Sequence, residues 1–164
     1  MSIRNNINLL YKIRFPFLLL ALIALLTGIW SGLQRVGWQF SFHPGISPVT
    51  HGPLMVSGFL GTLICLERAV ALNRFWGYLA PLSSAAGALF ILLDSGKSFG
   101  PLLIVLSSIF LLLILMRYLL RTRELHFVIM TIGPLLWLVG NILWLTKVGF
   151  YQMTPWWAGF LIFT

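Results

Sequence analysis

The stretch Thr50 to Leu72, THGPLMVSGFLGTLICLERAVAL, reads as one membrane-crossing helix. It opens on a histidine, carries small or weakly polar residues through its middle, and closes on an acid beside a base. At 100° per residue His51, Met55, Gly58, Thr62, Cys65 and Ala69 fall on one face. Val56, Leu60, Leu63 and Glu67 fall opposite. Small residues let helix backbones approach each other in lipid, so the His51 face is expected inside a bundle and the leucine face toward lipid. Thr50 has the chemistry of an N-cap, and Pro53 falls in the first turn, where its missing N–H does no harm.

Outward from this stretch the same texture continues. Of 164 residues, 59% are hydrophobic and 9% charged. Soluble domains carry about 25% charged residues, so this chain cannot cover a water-facing surface and needs lipid as its partner. The apolar runs are continuous and long, which excludes the alternating segments of a β-barrel. The expected fold is all-α, a polytopic transmembrane helical bundle in a single domain. Its spans are expected at about 15–37, 51–72, 78–93, 101–120 and 126–145, with the start of a sixth at 156–164. Residues 1–14 read as a short basic tail. The sixth run is too short to span, so the chain is read as the N-terminal part of a longer protein, with a re-entrant last helix as the alternative.

The net charge of +8 is scattered between apolar runs, which argues for topology rather than nucleic-acid binding. Alternate loops place Arg4, Lys12, Arg14, Arg68, Arg74, Arg117, Arg121 and Arg123 on one side, and Arg35, Lys97 and Lys147 on the other. The positive-inside rule then sets the N-terminus in the cytoplasm of a multi-pass inner (plasma) membrane protein. Trp30, Trp38, Trp144, Trp156 and Trp157 fall at the outer level, as an aromatic belt would. A single cysteine, Cys65, excludes an internal disulfide. Three acids in all leave almost no scope for acid/base catalysis or a carboxylate metal cage, and no nucleotide, protease or esterase motif occurs. No catalytic residue is assigned.

The residues that could form a site are polar ones inside the apolar runs. His51 is a candidate metal or haem ligand, or a proton carrier; the alternative is a hydrogen-bonded polar residue at a helix start. Ser31 and Gln34 share a face of the first segment with Thr27. With Met55, Thr62, Asn141 and Trp144 they are expected to line an outward-opening pocket near His51, or else to act as ordinary interhelical glue. Glu67 and Arg68 are expected at the inner boundary, their side chains diverging, with Glu67 pairing instead with a base such as Arg74.

His51-Gly52-Pro53-Leu54-Met55 resembles the His-Gly-x-x-Met opening of a haem-bearing helix in haem-copper oxidase subunits, and with Gly58-Phe59 it is similar to the NnrS family. That resemblance, over about ten residues, implies a bacterial membrane protein that binds haem or copper and is linked to nitric-oxide or respiratory metabolism. His51 is the one ligand it carries over. A second axial ligand would come from chain beyond Thr164 or from His43. The readings set against it are a small-solute transporter using the outer pocket, and a structural or assembly subunit packed on a partner.

Overall fold

The computed structural model of the chain describes residues 2–38, 47–93, 98–147 and 149–164, with side chains from 14 onward except at 150. All described secondary structure is helical. Helix α1 spans Ser2–Arg35, α2 Pro48–Leu72, α3 Phe75–Leu92, α4 Phe99–Thr122, α5 Leu125–Leu145 and α6 Phe150–Phe163. Five of these, counting α1 from Arg14, are long and apolar enough to cross a membrane. The expected basic tail is thus part of a helix that starts at Ser2, and the last apolar run begins as helix at Phe150 rather than at Trp156. His43, Asp94 and Lys97 lie outside the described residues.

Neighbours in sequence are neighbours in space: α3 packs on α4, α4 on α5 and α5 on α6. The exception is α2, which lies against α1, α3 and α4 and is also met by Trp137 from α5. That central place explains its composition. A helix wrapped by others needs small side chains on more than one face.

How α2 meets so many partners is not visible in a 3.6-residue wheel. Its first turn, Pro48–Thr50, is 3₁₀, and residues Leu54–Gly61 wind as a π-helix before α-geometry resumes at Thr62. The π-helix bonds i to i+5 and is rare at any length. Buried residues along α2 come in pairs four apart: Pro53/Leu54, Ser57/Gly58, Gly61/Thr62 and Cys65/Leu66. In an α-helix a four-residue period drifts about 40° per turn. The wider π-turns hold the pairs in line through the first half of the helix. Ser57, Gly61 and Leu54 are buried in this segment with the expected stripe, Leu66 is buried beyond it, and Val56, expected to face lipid, packs against the main core cluster.

The N-cap also sits one turn earlier than expected. Thr50 has helical backbone and makes no capping bond. Ser47 is the cap: its backbone is extended, its Oγ accepts from Val49 N, and its carbonyl accepts from the Thr50 hydroxyl at 2.7 Å.

Serine hydroxyls tie the interior. Ser84 of α3 donates to the Ser57 carbonyl at 2.7 Å, and Ser107 of α4 donates to the Ala80 carbonyl at 2.8 Å. Ser108 instead bonds its own helix at Val105. Cys65 is fully buried beside Ser107.

Candidate functional site

At one end of the bundle α1 and α2 run antiparallel in close contact. Helix α1 turns a row of small residues toward α2: Ala21, Ala24, Gly28 and Ser31 are all buried. A Cβ on Gly28 would lie 2.9 Å from Met55 Sδ, one on Gly32 would lie 2.7 Å from His51 Nδ1, and one on Gly58 would lie 3.0 Å from Ala24 Cβ. The two helices are in register along the whole seam, with 32 opposite 51, 28 opposite 55 and 24 opposite 58.

This close approach aims the histidine. His51 Nδ1 lies 2.8 Å from the Gly28 carbonyl oxygen. A carbonyl only accepts, so Nδ1 must carry the proton when the ring is neutral. Nε2 is then left with its lone pair. Ser31, one turn nearer the end of α1, donates to the Ser47 carbonyl at 2.9 Å and lies 3.2 Å from the Thr50 hydroxyl. Ser31 thereby pins the start of α2, and with it the His51 backbone. Gln34 lies one further turn along α1 and is half-buried, its Oε1 enclosed without a partner.

Two other residues expected in the same pocket make contacts with α6. Asn141 of α5 is fully buried, and its Oδ1 accepts from the Trp157 indole of α6 at 3.0 Å. Trp144 meets Trp157 edge-on, with ring centroids 5.8 Å apart. Trp157 is itself 2% exposed, so it belongs to the α5–α6 contact and not to an outward-facing belt. His51 and Met55 meet α1, where Ser31 bonds the start of α2, and Asn141 and Trp144 meet Trp157 of α6. Thr62 is buried deeper along α2, its hydroxyl without a partner. Asn141 acts as interhelical glue through its bond from Trp157. Replacing it with leucine is expected to cost about 1 kcal/mol, the usual scale for one hydrogen bond between helices in lipid. Denaturant titration in detergent micelles checks it.

Between the two groups lies a contact with no counterpart in the sequence reading. Trp137 of α5 is fully buried, donates from its indole N–H to Ser57 Oγ at 3.1 Å, and stacks on Phe160 of α6 at 4.6 Å. Gly61 makes room for it: a Cβ there would lie 2.7 Å from the indole ring. Ser57 and Gly61 both lie within the π-segment and are buried.

At the opposite end, Glu67 and Arg68 do not diverge. Arg68 Nη2 lies 3.8 Å from Glu67 Oε1, and the acid is well exposed. An exposed pair of this length contributes little to stability. His126 Nδ1 lies 3.1 Å from Glu124 Oε2, both exposed, which suits a solvated interfacial pair.

The fold and these contacts define an all-α bundle with five helices long and apolar enough to cross a membrane and one oriented histidine in an interhelical seam. Residues 14–164 match the family described as "Domain of unknown function (DUF8744)", and the chain belongs to that family. No curated protein and no solved structure matches it.

Proposed function

We propose that this is a multi-pass protein of the inner (plasma) membrane, N-terminus in the cytoplasm, that holds haem through His51 near the outer face. The observation that carries the reading is the bond from His51 Nδ1–H to the Gly28 carbonyl. Metal-ligating histidines commonly donate their second ring nitrogen to a backbone carbonyl, which fixes the tautomer and raises the basicity of the free nitrogen. Haem iron can be held by one such nitrogen. The link to nitric-oxide or respiratory chemistry comes from the resemblance around His51 to Phe59 alone.

Purification in mild detergent followed by a visible spectrum and a pyridine haemochrome assay tests the proposal. The wild type is expected to show a Soret band that disappears in His51→Ala while the protein stays monodisperse. A well-folded wild-type preparation without haem, from cells supplied with haem precursors, would sink it.

A further inference from the structure

We infer that Arg14 of α1 and Arg68 of α2 form a binding site for the phosphate headgroup of an anionic phospholipid. The inference rests on the membrane reading above but not on haem.

The antiparallel register brings the two arginines together in depth. Ala24 abuts Gly58. Arg14 lies ten residues before Ala24, and Arg68 ten residues after Gly58. Both therefore fall about 15 Å along the seam from the same contact. Arg14 is also two heptads before Gly28, with buried Ala21 between them, so it lies on the face of α1 that is turned to α2. Helix α1 is also in contact with the 62–72 segment of α2, which carries Arg68.

Each guanidinium has an enclosed Nε with no hydrogen-bond partner. Two like charges at one depth repel, and an enclosed donor left unsatisfied is costly. The chain has little with which to answer them. At this end of the bundle the described side chains include Arg14, Arg68, Arg74, Arg117, Arg121 and Arg123, against only two carboxylates, Glu67 and Glu124. Glu124 is taken by His126, and Glu67 reaches Arg68 only at 3.8 Å. Among the described residues neither Nε meets an acceptor, and a ligand from outside the chain can supply one. Guanidinium groups match phosphate oxygens through paired N–H bonds, and basic sites between helices on the cytoplasmic side bind lipid phosphates. The position, at the end of a seam between two membrane-crossing helices, selects a lipid phosphate over a soluble one.

The test uses the full chain in nanodiscs of phosphatidylcholine with a minor fraction of phosphatidylglycerol. The association preference for phosphatidylglycerol is read by competition with a labelled lipid. Two arginines are expected to give a preference of about tenfold or more, given the usual scale of attraction per basic residue. The double variant Arg14→Gln/Arg68→Gln should bring it close to unity, while Arg121→Gln/Arg123→Gln should leave it largely intact. An unchanged preference in the first variant, or an equal loss in both, would overturn the site. Equal occupancy by inorganic phosphate would also overturn it, assigning the arginines to a soluble anion. Should the double variant fail to fold, photoactivatable phosphatidylglycerol on the wild type gives the answer: crosslinks near residues 14–17 and 65–72 support the site, and crosslinks confined to other segments refute it. If the chain stays outside the bilayer, the membrane reading and this site fall together. If it enters and shows no lipid preference, only this site falls.

Discussion

Trp137→Ala is expected to cost about 3–5 kcal/mol, the range for deleting a large buried aromatic. The residue touches three elements at once. Its ring fills the space left by Gly61 on α2, its N–H bonds Ser57, and its face stacks on Phe160 of α6. Alanine leaves a cavity where the central helix meets the last two, and leaves Ser57 Oγ without its donor. The loss should be felt across the bundle rather than at α5 alone. Trp137→Phe separates the two contributions, since it keeps a ring against Phe160 and Gly61 but removes the N–H. It is expected to cost about 1 kcal/mol for the bond, with a further loss for its smaller ring. Denaturant titration of both variants in one detergent measures the difference. A Trp137→Ala cost below that of Trp137→Phe would mean that the stacked contact is not part of the folded bundle.

Gly28→Leu is the second large effect. Any Cβ at this position comes within 2.9 Å of Met55 Sδ and 3.5 Å of Leu54 Cβ. The thioether of Met55 is flexible and can yield to a single methyl group, so Gly28→Ala should be mild. Leucine cannot be seated without moving the helices apart, and overpacking of this kind costs about 1–3 kcal/mol. The functional consequence is larger than the stability change suggests. Separation lengthens the bond between His51 and the Gly28 carbonyl, so the ring loses its fixed tautomer and direction. If His51 holds haem as proposed, haem content falls in Gly28→Leu although His51 is untouched, and a smaller partner in Gly28→Leu/Met55→Ala restores part of it. Retention of full haem content by Gly28→Leu would show that the seam does not orient the ligand. Leu26→Ala, on the exposed side of the same helix, serves as the control.

Much of the fold was legible because lipid imposes simple demands. Continuous apolar runs and sparse charge are enough to place five long helices, and the observed spans differ from expectation mainly at their ends. The importance of α2 was legible too, through His51 and its small residues. Its facing was only partly so. The 3.6 period placed His51, Met55 and Gly58 on one side, and they do meet α1. It could not foresee that residues 54–61 wind more widely, which buries Ser57 and Gly61 as well. Nor did it find the answering row on α1, because Thr27 and Gln34 drew attention as polar residues while Ala21, Ala24 and Gly28 look featureless. Thr27 in fact bonds carbonyls of its own helix. The partner of Asn141 was not legible for a different reason: depth in the membrane does not specify which neighbour a side chain faces. Asn141 found Trp157, a partner that its own position gives no means of choosing.

The direction of the interhelical bonds has a consequence for how the chain is made. His51 donates back to Gly28, Ser84 to Ser57, Ser107 to Ala80, Trp137 to Ser57 and Trp157 to Asn141. In each of these five pairs the donor is synthesised after its acceptor; Ser31, which donates forward to the Ser47 carbonyl, is the exception. Helices leaving the ribosome in order would each meet a waiting oxygen on a helix already delivered, so the bundle can close from its first helix onward without holding any of these donors open for a later one.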